Sequence, residues 1–149
     1  MRNCFKIIWV GLLAGLASEL FLGALFMSSP VQSVLYDPDY QSKLFLEVTL
    51  QRNMAISIIG LIMLSVVHSW LFSLLSPSMP GGNWKQKGLF WGFTIWVMYW
   101  VFQEWFIYYT LLGEPIPLAI LELTILLVGS IVEGLLISKF LYIQKQSKP

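Results

Sequence analysis

The sequence is short of charge, of cysteine and of histidine, and each shortage closes off a class of chemistry. Charged residues make up 11% of its 149 positions, against about 25% in an ordinary soluble domain. Cys4 is the only cysteine, which excludes an intrachain disulfide and a thiolate metal cluster. His68 is the only histidine, so one chain cannot build a multi-histidine metal site or a bis-histidine haem site. Di-metal carboxylate sites in helical bundles use paired Glu-x-x-His motifs, and no glutamate stands three residues before His68. There is no glycine-rich phosphate loop, no His-Glu-x-x-His, no nucleophile elbow and no kinase signature. The net charge of +1 implies no nucleic-acid partner. No cofactor and no metal are expected, and an enzyme is the less favoured reading.

What the chain does have is apolar length. Hydrophobic residues make up 57% of it, and a short water-soluble chain has too much surface to hide so many. They fall in four blocks, at about 5–28, 54–75, 88–112 and 116–143. Each meets the roughly 20 residues needed to cross the hydrocarbon core. Backbone groups in lipid must bond internally, so each block is expected to be a helix. The expected fold is an all-α membrane protein, a four-helix transmembrane bundle forming a single domain over residues 1–149. The first block passes the signal-peptide test only in part. Arg2 and Lys6 make a basic start and Gly15-Leu16-Ala17 resembles a cleavage site, but the apolar run continues through Leu20–Met27. An uncleaved helix is expected.

Charge placement predicts the topology. Arg2, Lys6, Lys85, Lys87, Lys139, Lys145 and Lys148 flank the two ends and the middle loop, whereas Asp37, Asp39, Glu47 and Glu114 lie in the other two loops. Lys43 and Arg52 break the pattern. The positive-inside rule then places both termini in the cytoplasm, and a bacterial-type inner (plasma) membrane is the expected location. Breakers over Ser76–Asn83 predict a turn. In Gly113-Glu114-Pro115-Ile116-Pro117 the glycine can end one helix and a proline begin the next. In the longest loop Asp37-Pro38-Asp39 resembles a helix start. With Tyr40, Leu44, Val48 and Gln51 at helical spacing, it predicts a short external helix between the first and second spans.

Small residues mark where helices are expected to meet. Gly11, Gly15, Glu19 and Gly23 recur every four residues, a spacing expected to stay on one face. Gly88 and Gly92 open the third block, with Gln103 on their stripe and Glu104 well off it. Glu122, Gly129 and Glu133 share a face of the fourth. Ser57 and His68 share a stripe of the second, close to Ser65 and Ser69. The third block is also rich in aromatics. Trp96, Tyr99 and Trp100 lie too deep for an interfacial belt, leaving three roles: facing lipid, filling the core, or lining a site for a flat ligand such as a quinone or porphyrin.

Ionisable groups at bilayer depth cost about 2.5–3.5 kcal/mol each on insertion scales, so Glu19, His68, Glu104, Glu122 and Glu133 are the candidate functional residues. A rise of about 1.5 Å per residue places Glu19 and Glu104 about 12 Å from the outer helix ends, Glu122 about 6 Å, and His68 and Glu133 about 21–23 Å. Two layers are expected: Glu19 with Glu104 and Glu122, then His68 with Glu133. Such a series can pass protons or hold a cation. The plain alternative is interhelical glue, worth about 0.6 kcal/mol per hydrogen bond. The expected activity is therefore proton- or cation-linked transport. The rivals are an accessory subunit of a larger membrane complex and a membrane enzyme or cofactor binder acting on a hydrophobic substrate. The expected partners are the lipid bilayer and either copies of the chain or a larger membrane complex.

Overall fold

A computed structural model describes residues 4–40 and 54–142. All regular structure among them is helical. Helix α1 runs Cys4–Phe26, α2 Ser29–Leu35, α3 Met54–Leu75, α4 Trp84–Ile95 and α5 Ile116–Leu141. Directly after α4 the chain winds as a π-helix over Trp96–Leu111.

Three of these helices are long and apolar enough to cross a membrane: Cys4–Phe26, Ala55–Leu75 and Ile116–Leu141, with mean hydropathies of 1.9, 2.1 and 2.2. Only 39%, 22% and 39% of their apolar windows are buried. Helices this apolar, with most of their surface turned outward, require a solvent that is itself apolar. The three helices are consistent with an integral membrane protein.

Helices α1 and α5 lie in the middle of the assembly. Helix α1 packs on α3 and α5, and α5 packs on α1, α4 and the π segment. One apolar cluster unites Ile7, Val10 and Ala14 with Phe72, Trp91, Ile95, Ile137 and Leu141. A second, toward the Gly113 hairpin, joins Leu22 to Ile125 and Leu126, with Trp96 and Trp100 packed against it.

Glycines set the closest approaches. A Cβ on Gly92 would stand 2.5 Å from the Ser130 carbonyl oxygen and 2.7 Å from the Ile131 Cα, so α4 and α5 touch backbone to backbone. Gly134 faces Gly88 and Gly92 from the other side of this contact. Gly11 meets the Val66 Cα and Gly15 meets Ser65, which seats α1 on α3. Gly129 receives the Leu22 side chain, and Ser18 Oγ donates to the Gly129 carbonyl at 3.1 Å. Gly23 departs from expectation: it is exposed, and a Cβ there would meet nothing within 4 Å. At about 100° per residue, twelve residues carry it roughly 120° from Gly11, so the four-residue spacing drifts off the packed face. The same drift leaves Glu19 on the flank, half-buried.

The turns follow their local chemistry. Asn83 Oδ1 accepts from the Gln86 N–H at 3.0 Å, and Gln86 Oε1 accepts from the Gly82 N–H at 2.8 Å, closing a reciprocal cap on α4. Lys87, buried, donates to the Ser76 carbonyl at the end of α3, where a cation complements the helix dipole. Ser138 Oγ donates to the Trp84 carbonyl at 2.7 Å, and Tyr142 OH to that of Gly82 at 2.8 Å. These bonds tie α5 to the turn at the α4 end. At the other end Gly113 takes φ +66° in the left-handed region, which lets the chain reverse into Pro115 and α5.

Two expected elements change. The third block does not form one α-helix over 88–112; it is α-helical only to Ile95 and π-helical beyond. Between α1 and α3 the short helix lies at Ser29–Leu35, opened by Pro30, while Pro38–Tyr40 make a single 3-10 turn. There Asp37 Oδ1 accepts from the Asp39 N–H at 3.0 Å. The expected helical continuation through Lys43, Leu44, Glu47, Val48, Gln51 and Arg52 lies outside the described residues.

Candidate functional site

The π winding decides which polar residue of the third block turns inward. Continued as an α-helix at about 100° per residue, Glu104 would lie roughly 120° from Gly92. With i→i+5 bonding the step falls to about 82° per residue, which brings Glu104 within roughly 25° of the Gly92 face and swings Gln103 away. Glu104 is accordingly 1% exposed. Gln103 is only half-buried, and its Nε2 donates to Glu104 Oε1 at 3.4 Å. The stripe expected to carry Gln103 carries Glu104 instead. Long-reach bonds persist to the end of the segment, where Thr110 Oγ1 donates to the Trp105 carbonyl and the Leu112 N–H to that of Ile107.

Glu104 there joins two other carboxylates. Carboxylate oxygens of Glu104, Glu114 and Glu122 lie within 4.8 Å of one another. Glu122 comes from the second turn of α5. Glu114 comes from the hairpin, where its N–H donates to the Tyr108 carbonyl at 3.0 Å. Glu114 is 7% exposed, and its Oε2 is buried without a hydrogen-bond partner. Burial, and then the nearby Glu122 carboxylate, push the Glu114 carboxyl up to about 7.

A second polar group lies deeper along α5. His68 Nδ1 and Glu133 Oε1 are 2.9 Å apart, joining α3 to α5. Glu19 is within electrostatic reach of Glu133, and Tyr99 is within reach of both Glu19 and Glu104. Glu104 thus groups with Glu114 and Glu122 rather than directly with Glu19. Trp96 is anchored by its Nε1, which donates to the Leu123 carbonyl at 2.8 Å. Trp100 lies edge-on to Tyr99, with ring centroids 4.5 Å apart. Trp96 and Trp100, both half-buried, pack against the second apolar cluster.

No protein-family model matches the chain, and comparisons with curated proteins and with solved structures return no match.

Sequence reasoning counted Glu114 only as a loop charge. A usable signal was present: a hairpin centred on Gly113 folds Glu104 and Glu122 back beside whatever the turn carries. Ser18 and Ser138, which hold α5 to its neighbours, gave no such signal, because a serine in a membrane helix is silent about its partner.

Proposed function

We propose that this protein is a four-span membrane bundle that moves protons, or a cation, by way of buried carboxylates. In this reading α4 and the π segment, unbroken from Trp84 to Leu111, make the fourth crossing. Both termini and the Ser76–Asn83 turn then lie in the cytoplasm, as the lysine distribution favours. The observation that carries the proposal is two polar groups along the bundle, the Glu104, Glu114 and Glu122 carboxylates and the His68–Glu133 contact, with Tyr99 and Glu19 within electrostatic range of them. Groups of this kind are costly in lipid and face the protein interior, where they serve ion pathways. His68, held 2.9 Å from Glu133 Oε1, ends the arrangement on the side away from the hairpin.

Purified chain reconstituted into liposomes tests this reading. An imposed membrane potential should drive acidification or cation flux above that of empty liposomes, and E133Q and H68Q should each cut it severely. Flux equal to that of empty liposomes, or unaltered in both variants, refutes it.

Self-association is the companion proposal. Its support is α3, whose window is 22% buried, and Gly60, around which a Cβ would meet nothing within 4 Å. An exposed glycine on an apolar helix lets another helix approach closely. Cross-linking between copies carrying G60C tests it, and a strictly monomeric chain in bilayers ends it.

A further inference from the structure

The hairpin end of the bundle holds an arrangement that proton transfer alone does not require. Three carboxylates converge from the π segment, the hairpin and α5, their oxygens within 4.8 Å of one another. Independently, Glu114 Oε2 is buried and accepts no hydrogen bond, on a residue 7% exposed, whereas Glu104 shares a side-chain hydrogen bond with Glu122. Buried acceptors are satisfied in the great majority of cases, so each exception calls for a partner. We propose that Glu104, Glu114 and Glu122 bind a hard divalent cation of about the size of calcium. The inference rests on the cation branch of the function proposed above and names the class of ion.

The donor set selects the ion. Three carboxylates with neither imidazole nor thiolate suit oxygen-seeking ions such as Ca2+, Mg2+ and Mn2+ rather than zinc or copper. Size narrows the choice. Ca–O bonds of about 2.3–2.6 Å allow two ligands of one ion to stand as far as about 4.6–5.2 Å apart. Mg–O bonds of about 2.0–2.1 Å allow only about 4.2 Å and demand near-ideal octahedral geometry. Oxygens within 4.8 Å of one another fit around one such ion, and three carboxylates brought from separate segments suit calcium's flexible coordination better than magnesium's demand for regular geometry. The protein supplies three ligands of the six to eight that calcium takes. Water can complete the shell from the side of Glu122, the one member of the trio that is only half-buried. Gln103 bonds Glu104 Oε1, which leaves Glu114 Oε2 as the open acceptor of the trio.

Terbium(III), an oxygen-seeking ion close to calcium in size, serves as the probe. It is titrated into the full chain in detergent, and luminescence sensitised by nearby tyrosine and tryptophan is read. The expected result is a saturable one-site signal that Ca2+ displaces at lower concentration than Mg2+. E122Q and E114D should each raise the apparent Kd at least about tenfold, the least that even outer-shell partners cost at metal sites. D39N, at an exposed acid that is not one of the trio, should leave it unchanged. E114D retains the charge and alters a hairpin residue, and a thermal melt by tryptophan emission verifies its fold. No saturable signal, or equal affinity in E122Q, E114D and the parent, overturns the proposal. Binding is measured without flux, so the two readings fail separately. Flux without trio-dependent binding removes the cation site alone, and binding without flux removes the transport reading alone.

Discussion

The close contact between α4 and α5 gives the sharpest mechanical test. In Gly92→Ala the new Cβ would lie 2.5 Å from the Ser130 carbonyl oxygen and 2.7 Å from the Ile131 Cα. Favourable separations are about 3.5–4.0 Å, so the shortfall is roughly 1 Å. Both obstructing atoms are backbone, and no rotamer change relieves the clash; the helices must part. Overpacking of this kind costs about 1–3 kcal/mol. Alanine returns about 0.5–1 kcal/mol through its better helix propensity. The expected net loss centres on about 1 kcal/mol and reaches at most about 2.5 kcal/mol. Gly23→Ala isolates the second effect, because nothing lies within 4 Å of its Cβ; it should be neutral or stabilising. Unfolding in mixed micelles, followed by tryptophan emission as denaturing detergent is raised, measures both. If G92A unfolds like the parent, or G23A loses as much as G92A, the backbone contact and the face assigned to α1 are wrong.

Further outcomes follow from the polar groups. Exchanging two neighbours, Q103E with E104Q, keeps composition and charge but turns the carboxylate off the buried face, so terbium binding should be lost. Retention would show that the segment is wound as an α-helix. Glu114 carries a pH dependence of definite sign. Its folded carboxyl is raised to about 7, so the folded state binds this proton more tightly than the unfolded state does. The contribution is complete below the ordinary carboxylate range and fades as pH rises through about 7. Metal-free protein should therefore lose stability over that window and E114Q should lose less; parallel profiles would contradict the assignment. In a double-mutant cycle, H68Q and E133Q should show coupling of about 0.6–1.7 kcal/mol, the span of interhelical hydrogen bonds in membranes. Additive losses would mean that the 2.9 Å contact contributes nothing. Ser18→Ala removes the bond to the Gly129 carbonyl and should cost about 0.6 kcal/mol by the same scale.

The membrane class, the apolar helices and the tight turns were legible in the residues alone. Spans are read from composition over some twenty positions, a signal insensitive to the placement of any one residue. Turns are read from residues with unusual backbone freedom, and Gly113 and Asn83 occupy the conformations their chemistry suits. The ingredients of the polar centre were legible too, because any ionisable residue inside a span is conspicuous.

Only the tertiary structure decided which of those residues meet. A shift of about 18° per residue between α and π winding, invisible in hydropathy, exchanged Gln103 for Glu104 on the buried face. Accumulated drift along α1 took Gly23 out of the packed seam and left Glu19 at its flank. The hairpin brought Glu114, which no span contains, to two acids that do lie on helices. Apolar length is an additive property of the chain, so sequence carries it directly. The direction of a side chain depends on angles summed over many residues, and only packing determines that sum.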